Sequence, residues 1–200
     1  MQKRYYIIGF ILIVGICLSL VFLFNNKENN LSDAEKFKSE YNMVQEDNVF
    51  VYRDQDEIIR IIENGTGVVY LGFPECPWCN YYVKYLNEVA KDVGIEKIYY
   101  YNILEDRKNN TETYKQIVSL LYDELQFDDE GNKRIYVPNV SFIIDGKIIG
   151  NDYETSKDTN NIKEPSKYWT NDEISDLKKT LKMYMERVYS AIYSCTDCNN

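Results

Sequence analysis

An unbroken apolar run without a charged residue, Tyr5 to Phe24, opens the hydrophobic pattern of this chain. At about 1.5 Å rise per residue such a run is about 30 Å long, the thickness of a bilayer's hydrocarbon core. It predicts a single N-terminal transmembrane helix. Lys3 and Arg4 precede it, which places the N-terminus in the cytoplasm and the remainder outside the cell membrane. A cleaved signal peptide would have a shorter apolar core and a small-x-small site, whereas this run ends Val21-Phe22-Leu23-Phe24-Asn25-Asn26. Cys17 follows Ile16 rather than the small residue a lipoprotein signal needs, and reads as an inert apolar position.

Beyond a polar linker the pattern becomes helical. Ser32-x-x-Glu35 is a capping box, with Phe37, Tyr41 and Val44 behind it at helical spacing, predicting an amphipathic helix from Asp33 to Gln45. Val49 to Tyr52 reads as a short strand. Asp54-x-x-Glu57 caps a second helix carrying Ile58, Ile59, Ile61 and Ile62, closed by Asn64-Gly65. Gly67 to Phe73 is continuous, β-branched and aromatic, the mark of a buried strand. Pro74-Glu75-Cys76-Pro77-Trp78-Cys79 interrupts it, and a helix then runs to Val93, ahead of Gly94. Lys97 to Tyr101 predicts a strand, Thr111 to Gln126 a helix, and Phe127 to Arg134 an acidic turn. Tyr136 to Ile144 and Lys147 to Ile149 flank Asp145-Gly146, a strong hairpin signal. Residues 151–169 read as a polar loop, and Thr170-x-x-Glu173 caps a last helix with Ile174, Leu177, Leu181, Tyr184, Met185 and Val188 on one face. Alternating strands and helices closed by an antiparallel hairpin predict an α/β fold with a mixed central β-sheet flanked by helices. The expected division is an anchor and linker over 1–30, a stalk helix over 31–47, and a domain over 48–200 that ends in a cysteine-bearing tail.

Composition narrows the chemistry. The chain has no histidine, which excludes histidine-based triads and mixed histidine–zinc sites. With 23 basic and 32 acidic residues the net charge is −9, so nucleic acid, which needs a basic surface, is not an expected partner. Without Lys3 and Arg4 the external part is more acidic still and should stand off anionic lipid.

Five cysteines remain: Cys17 in the apolar run and two Cys-x-x-Cys pairs. Cys76-Pro77-Trp78-Cys79 stands between a buried strand and a helix, so Cys76 falls at the helix N-terminus, where free N–H groups and the dipole favour a thiolate. Pro77 suits the first helical turn. Cys76 would attack a substrate disulfide and Cys79, one turn in, would resolve the mixed disulfide. Two other readings stand beside this one: an inert disulfide, or a zinc site completed by Cys195 and Cys198, which has the right ligand count. The Cys195/Cys198 pair is itself either a second redox pair relaying electrons or a disulfide of the tail, the usual state of exported thiols. Trp78, between the cysteines at a helix start, is a candidate substrate contact. Tyr81, Tyr82, Tyr85 and Tyr99 to Tyr101 read as packing residues.

The strand–Cys-Pro-Trp-Cys–helix unit, together with Val137-Pro138 opening a hairpin that turns at Gly146, resembles the thioredoxin superfamily over about residues 48–193. Within it, the anchor and the Asn-, Tyr-, Lys- and Ile-rich composition are similar to membrane-tethered thioredoxin-like proteins of Gram-positive bacteria, some of them described as bacteriocin transport accessory proteins. The resemblance implies a thioredoxin-like fold, a cis Pro138 beside the cysteines, and Val137 backbone groups that pair with a substrate strand, with Pro77 and Trp78 also facing substrate. It implies a thiol–disulfide oxidoreductase of reductase or isomerase type, needing no cofactor, with protein or peptide thiols and disulfides as substrates and a membrane electron donor as a further partner. The alternative is a non-catalytic binding or transport accessory module on the same scaffold. Three residues depart from the family pattern. Tyr70 stands where a buried acid is usual, Glu75 where tryptophan is typical, and no histidine separates the cysteines as in strongly oxidising members.

Overall fold

The strand ahead of the cysteine motif, β2 (Gly67–Gly72), is buried at every position, and the sheet grows from it on both sides. The structure is a computed structural model and describes residues 31–153 and 161–194. The apolar run 5–24 and the tail pair Cys195 and Cys198 lie outside the described residues. Among the described residues no helix is long and apolar enough to cross a membrane.

The chain runs α1 (Asp33–Glu40), β1 (Phe50–Tyr52), α2 (Gln55–Asn64), β2, α3 (Pro77–Val93), β3 (Ile98–Asn102), α4 (Leu104–Asn109) and α5 (Glu112–Leu120). A 3₁₀ turn (Tyr122–Glu124) follows, then β4 (Gln126–Phe127), β5 (Lys133–Arg134), β6 (Asn139–Ile144), β7 (Lys147–Tyr153), α6 (Pro165–Tyr168) and α7 (Asn171–Ser194). The five-stranded sheet has the order β1-β3-β2-β6-β7. Strands β1, β3 and β2 are parallel, while β6 and β7 are antiparallel, so the sheet is mixed. Helix α2 packs with α5, and α3 packs with α7, so both faces of β2 are covered. The fold is α/β with helices flanking the sheet.

Local chemistry explains the element boundaries. Ser32 with Glu35 and Asp54 with Glu57 both form complete capping boxes, so α1 and α2 start where the sequence says they should. At the β6–β7 turn both Asp145 (φ 49°) and Gly146 (φ 72°) adopt the left-handed conformation that a tight hairpin requires.

Several boundaries differ from the sequence expectation. Helix α1 stops at Glu40, short of Gln45, although Tyr41 and Val44 remain buried. The helix expected over 111–126 ends at Leu120 and tightens into the 3₁₀ turn. Helix α4 was not foreseen: Leu-Glu-Asp-Arg-Lys-Asn has no apolar period, and its N-cap, Ile103, makes no side-chain cap. The acidic turn contains the small β4–β5 ribbon, and β7 continues through Asn151 and Asp152 to Tyr153 instead of yielding to loop at 151.

Helix α1 docks directly onto the sheet. Phe37 stacks on Phe50 (ring centroids 3.9 Å) and on Tyr41 (4.4 Å), and all three are buried. Tyr52 donates its backbone N–H to the Asp33 carboxylate (3.1 Å) and its hydroxyl to Glu40 (2.7 Å), so α1 satisfies groups of the edge strand β1. The Asn48 amide ties the connection down by donating to the Ala34 and Gln45 carbonyls (both 2.8 Å).

Candidate active site: an asymmetric dithiol

Cys76 is the N-cap of α3, and its sulfur accepts the backbone N–H of Cys79 at 3.2 Å. Pro77 occupies the first helical turn, where a missing donor costs nothing. The turn that presents Cys76 is clamped by Asn80, whose amide donates to the Pro74 (2.7 Å) and Cys76 (3.1 Å) carbonyls. No spacing rule singled out Asn80. Both thiols are free.

The two sulfurs differ in exposure and in proton affinity. Cys76 keeps 8 % of its surface, whereas Cys79 keeps none. The Cys76 thiol is held below the ordinary thiol range, chiefly by its hydrogen bond with Cys79. Burial opposes this, while the N–H groups of Cys79 and Trp78 and the Arg107 charge assist it. Cys79 is pushed well above the ordinary range by burial first, then by its bond to Cys76 and the Cys76 charge. Low pKa on the outer sulfur and high pKa on the inner one is the division of labour expected of a nucleophile and a protonated resolving thiol.

Val137 and Pro138 come to the same place. The Val137–Pro138 peptide is cis, and the Cys76 thiol points at the Val137 carbonyl oxygen at 3.8 Å. Trp78 is half-buried and packs edge-on against Tyr168 (5.4 Å), so α6 covers part of the indole. Trp169 fills the space above Tyr82 and Tyr85, joining the α6–α7 junction to α3. Glu75 is exposed beside Cys76, where solvent screens its charge.

Tyr70, on β2, lies fully buried beneath the pair. Its ring stacks on Tyr100 (5.5 Å) and meets Phe50 edge-on (5.7 Å). Among the described residues its hydroxyl meets no partner in good hydrogen-bonding geometry, and a Cβ on Gly72 would overlap it, so Gly72 is the residue that lets this ring lie along the strand. Burial pushes the Tyr70 phenol far up, and the next largest influence on it is Cys79. The Tyr41 and Tyr100 hydroxyls share a buried hydrogen bond of 3.2 Å.

Comparison with models of protein families, with curated proteins and with solved structures finds no match for the chain. The geometry alone points to chemistry: a Cys-x-x-Cys pair at a helix N-terminus in an α/β fold is a setting suited to thiol–disulfide exchange. Among the described residues no group of three or more cysteine, aspartate or glutamate side chains is arranged to hold a metal ion.

The structure does not bring the C-terminal end of α7 to this site. From Trp169, just ahead of it, helix α7 runs beside α3 through the Lys178–Glu88 ion pair (2.6 Å) to Tyr189 beside Gly94. Ser194, its last residue, therefore stands at the opposite end of the sheet from Cys76. Sequence reasoning also missed Arg107, which lies over the Phe73 ring (4.7 Å) and acts on the charge of Cys76. Its setting in Glu105-Asp106-Arg107-Lys108 is a run of charges with no periodicity, so nothing in the spacing marks it.

Proposed function

We propose that this chain is a thiol–disulfide oxidoreductase of the thioredoxin superfamily, of reductase or isomerase type. Residues 5–24 tether it to the cell membrane, the N-terminus is cytoplasmic, and the domain acts on exported proteins or peptides outside. The observation that carries the reading is the asymmetry of the pair: an outer Cys76 at a helix N-terminus with its proton affinity lowered, over a buried Cys79 with its affinity raised. The anchor rests on the length and polarity of the apolar run.

In the reductive direction the Cys76 thiolate attacks one sulfur of a substrate disulfide, forming a mixed disulfide and releasing the other substrate sulfur as a thiolate. Cys79 then loses its proton and attacks Cys76 Sγ. The Cys76–Cys79 disulfide forms, and the second substrate sulfur leaves as a thiolate that takes up a proton. Two electrons pass from the dithiol to the substrate, and an external dithiol, such as a membrane electron donor, restores the pair. Val137 supports substrate docking because, among the described residues, no backbone carbonyl engages its N–H or that of Tyr136.

The test is reduction of a peptide disulfide by the full-length protein. Cys76→Ser should abolish turnover, and Cys79→Ser should stall as a mixed disulfide that traps the substrate. Wild-type protein that turns over no disulfide yet binds a partner would leave the accessory-module reading in its place. A reduction potential well above about −150 mV would assign the pair to oxidation instead.

A further inference from the structure

A cleft of about 490 Å³ opens between α4, α5 and the β4–β5 ribbon, and its lining gathers Arg107, Lys115, Lys133 and Arg134. In a chain with 32 acidic against 23 basic residues, four cations around one cleft is an imbalance that needs a reason. Two of the four are already engaged. Lys115 pairs with Glu112 at 2.6 Å. Lys133 donates to the Leu125 carbonyl (2.6 Å) and lies over the Tyr122 and Phe127 rings (4.9 and 4.3 Å).

Arg107 and Arg134 are different. Among the described residues neither has a carboxylate within ion-pair distance. The Arg107 guanidinium donates a long hydrogen bond to the Ile135 carbonyl (3.4 Å) and stacks on Phe73, while Arg134 lies over Tyr136 (5.7 Å). Both are half-buried, and after burial the Arg134 charge is what most weakens the charged form of Arg107. Two guanidinium groups held near each other, partly out of water and with no carboxylate partner among the described residues, make a ready receptor for a carboxylate, which each fork can grip through two N–H groups. The cleft's own acids do not fill that role. Asp128 accepts the N–H groups of Glu130 (3.0 Å) and Asn132 (2.8 Å) within its turn, and Glu130, at the cleft's exposed rim, forms no ion pair with either arginine among the described residues.

The cleft adjoins the dithiol. Arg134 is followed by Ile135, Tyr136 and Val137, whose carbonyl lies 3.8 Å from Cys76 Sγ. Three extended residues cover about 10 Å, so a peptide laid along Val137 brings a side chain about three residues from its own cysteine to the two arginines.

We propose that Arg107 and Arg134 form a carboxylate-binding subsite beside Cys76, and that the preferred substrate is an acidic peptide segment around the reactive cysteine. This rests on the exchange function proposed above and names its substrate class. The test uses the full-length protein and three peptides that differ only in carrying Glu, Gln or Lys three residues from a serine that replaces the substrate cysteine. Binding is read by fluorescence anisotropy, without sulfur chemistry. The Glu peptide should bind about tenfold tighter than the Gln peptide, with the Lys peptide weakest. The preference should vanish at 1 M salt, where screening acts within about 3 Å, and Arg134→Glu should reverse the order. Equal dissociation constants for the three wild-type complexes would overturn the subsite, whatever the variant does. So would glutarate displacing all three peptides alike, which would assign the cations to a free small anion. Exchange is scored separately with cysteine-bearing peptides: ordered binding without disulfide reduction removes the exchange reading and keeps the subsite, and reduction with equal affinities does the opposite.

Discussion

Cys76 and Cys79 share one helical turn, but the regions on either side of them are built from different materials. Inward of Cys79 lies a dry stack of rings, Phe37, Tyr41, Phe50, Tyr70 and Tyr100, all at most 1 % exposed. Outward of Cys76 lies a half-solvated mouth, with Arg107, Arg134 and the Val137 backbone around it. Both regions carry polar groups, and they treat charge in opposite ways. The ring stack disfavours any anion, so thiol and phenols there hold their protons. At Cys76 the hydrogen bond with Cys79, helped by the Cys79 and Trp78 N–H groups and by the Arg107 charge, lowers the thiol's hold on its proton. A nucleophilic thiolate and a protonated resolving thiol require both states three residues apart, and the boundary between wet and dry supplies them in a chain without histidine.

The largest effect should come from breaking the dry side. Phe37→Ala opens a cavity between Tyr41 and Phe50 and should cost about 3–5 kcal/mol, seen as a lowered midpoint in chemical denaturation. Arg134→Ala, on the wet side, should move the same midpoint by no more than about 0.5 kcal/mol.

Alkaline titration comes next. The phenols of Tyr41, Tyr70 and Tyr100 and the Cys79 thiol all have folded proton affinities raised by burial. Below the unfolded values, about 8.5 for the thiol and 10 for tyrosine, they favour the fold fully. As pH rises past those values the unfolded chain releases its protons and the folded one does not, so stability falls. Cys76 has the opposite sign: its depressed affinity favours the fold above about pH 8.5 and that contribution fades as pH falls. The raised groups outnumber it, so unfolding should become steeply easier above about pH 10, by about 1.4 kcal/mol per pH unit for each phenol. A denaturation midpoint that stays flat from pH 9 to 11 would contradict the dry stack.

The smallest effect sharpens the wet side. Arg107→Gln removes a cation that acts on Cys76, though it ranks behind the hydrogen bonds. The thiolate absorbance of Cys76 should titrate at higher pH, and the thiolate fraction at neutral pH should drop by less than about tenfold.

The wet and dry regions were unequally legible in the sequence. The strand–motif–helix unit, both capping boxes and the Asp145-Gly146 turn are local signals, and each appears in the structure at its own residues, although β6 begins at Asn139 and β7 runs on to Tyr153. Cys76 and Cys79 follow from that local setting. The ring stack was visible only as aromatic positions in separate elements: the joining of Tyr41 to Tyr100, 59 positions apart, depends on how α1 docks. The mouth was not visible at all. Arg107 meets Ile135 across 28 positions, through a helix with no apolar period and a ribbon that reads as an acidic turn. Charged residues have no periodicity that reports on burial, so a half-buried arginine looks like a solvated one until the chain is folded.

The Asp33–Tyr52 contact has a mechanical consequence for a tethered protein. Tyr52 ends β1 in register with Tyr100 and Tyr70, two residues before β2 closes and six before Cys76. Helix α1 therefore joins the domain at the end of the sheet that carries Cys76. Under the proposed anchoring, the six positions 25–30 have a contour length of only about 20 Å. Cys76 would then patrol a shallow layer over the outer bilayer surface, meeting chains as they emerge at a local concentration set by the leash rather than by the bulk.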